Sequence, residues 1–176
     1  MAATFTAVFD RIAPAANKYM ATVFNTSSTR KVVVKRIWRK NRGITAVTGI
    51  LLEQEIRGIT ARTAGTSVTP FAHDTNLALS AGITADHAST AVTEATGNRA
   101  LFERFLCSTE EVLIAELTTS PEGSAAYLND AQCVYWSKGD AEGITLRQNQ
   151  GLTIKNITSS TVGTLSYAIE FTDEAA

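Results

Sequence analysis

The chain has 176 residues, 44% of them apolar and 19% charged, and a net charge of −1. That length fits one domain with room for a substantial core. The near-neutral balance gives no electrostatic reason for a nucleic acid or acidic membrane partner, and no run reaches the ~18 apolar residues of a membrane span.

Twenty-five threonines, spread along the chain among many valines and isoleucines, favour pleated, half-buried strands over helices. Ala3 to Asp10 alternates, with Phe5, Ala7 and Phe9 on one side, and predicts a first strand. Asp10 also interrupts the apolar segment that an export signal needs, which points to synthesis in a cytoplasm. Pro14 breaks any helix drawn through this region. Asn17 to Asn25 is apolar on both faces, so this strand is expected to be covered twice over or to lie at a subunit contact, with Tyr19, Met20, Val23 and Phe24 as candidates for self-association.

Thr29 to Lys40 is the most charged stretch. Arg30, Lys31, Lys35, Arg36, Arg39, Lys40 and Arg42 have no acid between them, yet Val32-Val33-Val34 marks a buried strand centre. Regular alternation puts Lys31, Lys35 and Arg39 on one face and Arg36 and Lys40 on the other. The bland reading is a solvated edge that discourages pairing; the sharper ones are contact with an acidic protein partner and, after it, with nucleic acid phosphates.

Ile44 to Ile59 predicts another strand, with Gly49 as a bulge or close approach. Helix is the rival reading for Ile50 to Ile56. Thr60 to Asn98 is rich in Ala, Thr, Ser and Gly, poor in large apolar residues, and holds both histidines. It reads as a long loop or arm with little core of its own.

Arg99 to Cys107 is strand or a helical turn, and Ser108 to Glu111 matches a capping box that allows a short helix from Thr109 to Leu117. Ser120-Pro121-Glu122-Gly123 is a β-turn by residue type. Finally, Leu152 to Lys155 and Leu165 to Thr172 alternate with period two around turn-forming residues, which predicts a β-hairpin whose second strand crosses the middle of a sheet.

Chemical constellations are sparse. His73-Asp74 and Asp86-His87 could form two halves of a metal or acid–base site, but read more simply as polar loop residues making local turn bonds. Cys107 and Cys133, without close spacing, read as small buried hydrophobes and not as a disulfide. No nucleotide-binding or hydrolase motif occurs. Neither a cofactor nor catalysis is expected. Tyr127, Tyr135 and Trp136 could serve as an interface hot spot or a sugar-stacking platform, against ordinary core and rim packing.

Taken together, the segments RKVVVKRIWRKN, AVTGILLEQEIRGIT, GTSVTPFAHDTN, LALSAGITAD and ITLRQNQGLTIKNITSSTVGTLSYAIEFT resemble small virion structural proteins of tailed bacteriophages. The likeness spans most of Arg30 to Thr172. It is most specific in the T-x-V-T-P-x-A-H-D-T loop and the closing stretch, and loose over Arg99 to Ser137. The resemblance implies a single β-sandwich domain, jelly-roll-like, that attaches to the phage particle as a head decoration or cement protein, with a tail or appendage component as the alternative. It further implies a homotrimer bound to the major capsid protein, located in the virion after synthesis in the bacterial host. On that reading the candidate capsid contacts are Arg36, Arg39, Lys40, Arg42, Thr69, Pro70, Phe71, His73 and Asp74.

Overall fold

The computed structural model describes residues 2–41, 51–108, 131–137, 143–159 and 163–176. Within them the chain is all-β: two antiparallel sheets packed face to face as a β-sandwich. In chain order the strands are β1 (Ala3–Ile12), β2 (Tyr19–Asn25), β3 (Arg30–Asn41), β4 (Leu51–Thr63), β5 (Thr66–Val68), β6 (Phe71–Ala72), β7 (Ile83–His87), β8 (Thr90–Glu94), β9 (Glu103–Ser108), β10 (Ala131–Trp136), β11 (Ile144–Leu146), β12 (Gln150–Asn156) and β13 (Leu165–Ala175). The first sheet runs β10-β3-β13-β1-β6, with β11 also on β3; the second runs β5-β7-β2-β12-β4-β8, with β9 also on β4.

The alternation of β1 and β13 decides the first sheet. Phe5, Ala7, Phe9, Tyr167, Ile169 and Phe171 all point inward and are buried. Phe5 lies directly opposite Phe171, with their rings stacked at 5.9 Å. Ala21, Val23, Leu52, Ile56, Leu152 and Ile154 answer from the second sheet. Tyr167 Oη donates to Gln54 Oε1 at 2.8 Å across the sandwich, so the buried phenol does not forfeit its hydrogen bond.

Three of the bulges among the described residues reset the inward parity of long strands. Arg11, at φ 52°, lets both Phe9 and Ile12 face the core. An extra residue at Met20, between the pairs Tyr19–Lys155 and Ala21–Ile154, buries Met20 beside Ala21. The third, at Lys35, lies between the pairs Val34–Phe171 and Arg36–Glu170. It changes the expected division of the basic run: Val32, Val34, Ile37 and Arg39 turn inward, leaving Arg36, Trp38 and Lys40 on the outer face. Nor is β3 an edge strand, since β13 flanks it on one side and β10 and β11 on the other.

Other expectations are corrected as well. The closing stretch is not a hairpin: β12 lies in the second sheet and β13 in the first. Both strands have one apolar face, and that pattern is equally satisfied by lying side by side or by facing each other across the ~10 Å between sheets. β13 does cross the middle of its sheet, between β3 and β1. Ile50 to Ile56, where described, is strand, and Arg99 to Cys107 is a 3-10 turn at Gly97–Arg99 followed by β9.

The stretch read as a long arm is built into both sheets, supplying β5 to β8. It holds few large apolar residues because it works mainly through backbone pairing and a few polar anchors. Gly49, Arg42, the Thr109 to Leu117 helix, the Ser120 turn and Tyr127 lie outside the described residues.

Candidate partner-binding face

Each sheet turns one face to the core and one away from it. Over β2 and β7 the outward face of the second sheet is covered by the chain itself, whereas Leu106 of β9, opposite Glu53 on the same face, stays exposed. Beyond Ile59, β4 pairs with β8, and this ribbon is tied down over β2 and β7. The Arg62 guanidinium lies 5.2 Å from the Phe24 ring centroid and pairs with Asp86, while its Nη2 donates to Thr84 at 2.8 Å.

Asp86 is the anchor, only 1% exposed. Its carboxylate accepts from Ser89 Oγ and from the Gly65 amide at 3.2 Å. Beneath it, Thr22 and Thr153 are hydrogen-bonded at 2.8 Å, and Thr153 Oγ1 donates to the Ala21 carbonyl. Gly151 is required here, since a Cβ would stand 2.4 Å from the Phe24 ring and 2.8 Å from Ile59 Cγ1.

Beside this clasp the charges are mutually satisfied. Glu94 takes Arg57, Lys155 (2.8 Å) and the Tyr19 hydroxyl (3.1 Å). Glu55 takes Arg57 (3.2 Å) and Arg104. The Tyr19 hydroxyl is pushed up to about 12 by burial and by Glu94. Burial alone would raise the Glu94 carboxyl, but the hydrogen bonds and charges of Lys155, Tyr19 and Arg57 offset it, and the net shift is downward.

The outward face of the first sheet differs. One register row crosses five of its six strands, reading Phe71, Thr6, Glu170, Arg36, Trp136 from β6 to β10. At the usual strand spacing the row is roughly 19 Å long. The next row reads Val8, Ala168, Trp38, Cys133. Phe71 is 66% exposed, Trp136 54% and Val8 42%.

Arg36 lies over the Trp136 ring, 5.5 Å from its centroid. No ion pair joins Arg36, Lys40 or Glu170 to any described residue, although Glu170 is directly opposite Arg36.

The loop that carries Phe71 is well tethered. The His73 amide donates to the Thr4 carbonyl at 2.9 Å, and His73 Nε2 and Thr6 Oγ1 are 2.8 Å apart. Asp74 Oδ1 accepts from the Asn76 amide at 3.0 Å, and Asp173 Oδ2 from the Ser80 amide at 3.0 Å.

The candidate contact residues therefore divide. Arg36, Lys40, Phe71 and His73 come together on or beside this open face. Thr69 and Pro70 lie on the path from the edge of the second sheet to that of the first, and exposed Asp74 caps the following turn. Arg39 is 4% exposed, turned into the end of the core, and donates to Gln132 at 2.9 Å.

The self-association candidates do not form a surface. Met20, Val23 and Phe24 are buried within a single chain, and Tyr19 is half-buried on Glu94. The double apolar pattern of β2 is answered by the core on one side and by the chain's own ribbon on the other.

The two His–Asp pairs are separated too, His73 beside β1 of the first sheet and Asp86 on the outward face of the second. Among the described residues no group of three or more His, Cys, Asp or Glu side chains is placed to hold a metal ion. Nor does any described helix have the length and apolarity to cross a membrane.

Of the aromatic trio, Tyr135 packs against the core and Trp136 carries Arg36 on its ring. Cys133 is exposed, not buried. Sequence reasoning passed over Val8, Trp38 and Glu170: the outward position of Trp38 is legible only once the bulge at Lys35 is placed, and Val8 and Glu170 join the same face only through the register of β1 against β13. Comparison with protein families, with curated proteins and with solved structures finds no match.

Proposed function

We propose that this chain is a non-enzymatic virion structural protein of a tailed bacteriophage, a head decoration or cement protein that binds the major capsid protein and stabilises the shell. The observation that carries the reading is the asymmetry of the sandwich. One outward face is largely covered by the chain's own ribbon and has its cations paired with carboxylates; the other presents exposed aromatic and aliphatic groups among charges with no ion-pair partner among the described residues.

A rigid β-sandwich with one unfinished face suits a protein whose work is to adhere. The resemblance of the five segments to phage structural proteins supplies the class of particle. The most specific of them, GTSVTPFAHDTN, provides Phe71 and His73 at that face. A homotrimer, made in the host cytoplasm and carried in the virion without cofactor, membrane or nucleic-acid contact, belongs to the same proposal.

The test is the number of copies per purified particle, measured by quantitative mass spectrometry against the major capsid protein. A ratio near one, or a simple fraction such as about one third, is expected for shell decoration. A few dozen copies or fewer would move the chain to the tail or a vertex appendage. Absence from the particle would end the proposal.

A further inference from the structure

The decoration reading leaves open which surface meets the particle and what chemistry the particle must present. We infer that the outward face of the first sheet is the docking surface, and that it fits a shell protein offering an apolar pocket for Phe71 and carboxylates opposite Arg36 and Lys40. This inference rests on the decoration reading.

Three observations carry it. Three of the six large hydrophobic side chains exposed among the described residues, Val8, Phe71 and Trp136, share this one face. Phe71 is held out on a hydrogen-bonded loop, so little freedom remains to be lost when it is buried, which is the property of an interface anchor. The charges on the face do not cancel: Lys31 and Glu174 pair with each other, which leaves Arg36 and Lys40 against Glu170, two cations to one anion, and none of these three has an ion-pair partner among the described residues. Arg11, near the same end, is already paired with Asp10.

The same charge count argues against a second copy of the chain as the occupant. An isologous contact would set a net-positive face against a net-positive face. A surface with more carboxylates than cations removes that conflict and gives Arg36 and Lys40 their partners.

The experiment measures binding of the full chain to purified shells assembled without it, by co-sedimentation over a range of salt concentrations. Wild type is compared with Phe71→Ser, Arg36→Gln and Lys40→Glu, and with Leu106→Ser, which changes an exposed residue of β9 in the second sheet. Thermal melts establish that each variant folds. The expected result is a loss of about thirtyfold or more for Phe71→Ser, several-fold losses for the two cation variants that shrink as salt rises, and no change for Leu106→Ser.

If wild type binds and the three face variants bind equally well, the face assignment is wrong and the decoration reading stands. Should wild type fail to bind shells at all, the decoration reading falls and the inference with it. A free chain that self-associates in solution and is dissociated by Phe71→Ser would show that the face belongs to a second copy, which also overturns the assignment.

Discussion

The two outward faces of this sandwich are made of similar residues and put them to different use. On the second sheet, Arg57, Arg62, Arg104 and Lys155 each meet a carboxylate, and the part of the face over β2 and β7 is covered by the β4–β8 ribbon. On the first, Arg36 lies directly opposite Glu170 and Lys40 opposite Ser166, and none of the three charged groups forms an ion pair with any described residue. What separates a face that stabilises from one that is free to bind is therefore not the charge it carries but whether the chain has already neutralised it. The contrast can be broken on the closed side, where changes should cost stability, and sharpened on the open side, where they should not.

The largest effect is expected at Asp86. Replacing it with alanine strands the Arg62 guanidinium, the Gly65 amide and the Ser89 hydroxyl without their common acceptor in a buried place. Removing one partner of a buried pair costs about 3–5 kcal/mol, which for a domain of this size is a fall in Tm of roughly 10 °C. A denaturant melt showing less than about 1 kcal/mol lost would mean that the clasp does not hold the ribbon. Gly151→Ala comes next, at about 1–3 kcal/mol, because the new methyl must displace the Phe24 ring or Ile59. Calorimetry should show this loss, and Gly97→Ala, with nothing within 4 Å of the added carbon, should lose less despite its φ of +63°.

The all-β class was legible because threonine, valine and isoleucine alternate so widely, and β1 and β13 are where period two predicts them. What misled was arithmetic of one residue. The extra residue at Lys35 carried Arg39 from a presumed surface into the core, and the one at Met20 buried a side chain expected at a subunit contact. A single inserted residue inverts the face of everything beyond it, and no residue type announces it. The clasp was equally hard to read, because Asp86 and Arg62 lie in a stretch of small polar residues and acquire their roles only when β4 bends across β2. On the open face, Arg36, Lys40, Phe71 and His73 were found from a charge run and a loop motif, whereas Val8 and Glu170 needed the register of β1 against β13.

Acid and alkali should test the closed face next. Burial, with the charge of Lys18 acting in the same direction, holds His87 below its ordinary 6.5 against the opposing pull of Asp86. The unfolded chain then binds the proton first, so stability begins to fall as pH drops below 6.5. Glu94 and Glu174, both held below 4.5, add a second loss as pH falls through their folded values. On the alkaline side, Tyr19 at about 12 against an ordinary 10 keeps its proton in the folded chain, so stability present below pH 10 declines between about 10 and 12. Chemical denaturation across pH should show both flanks. His87→Gln should flatten the shoulder below 6.5 and leave the carboxylate limb, and a shoulder unchanged by that substitution would place its origin elsewhere.

The smallest effect is the one that most sharpens the comparison. Phe71, Val8 and Lys40 are exposed, and neither Phe71 nor Lys40 forms an ion pair or side-chain hydrogen bond with a described residue. Phe71→Ser and Lys40→Glu should therefore change folding stability by no more than about 0.5 kcal/mol, and Val8→Thr, which keeps the β-branched shape, by no more than that. Denaturant midpoints with unchanged slopes would establish it. If Phe71→Ser instead cost about 2 kcal/mol, its ring would be packing within the chain, and the first sheet would have no more of an open face than the second. A stability-neutral substitution at a large exposed aromatic removes the only intramolecular reason for its presence, and what remains is contact with another molecule.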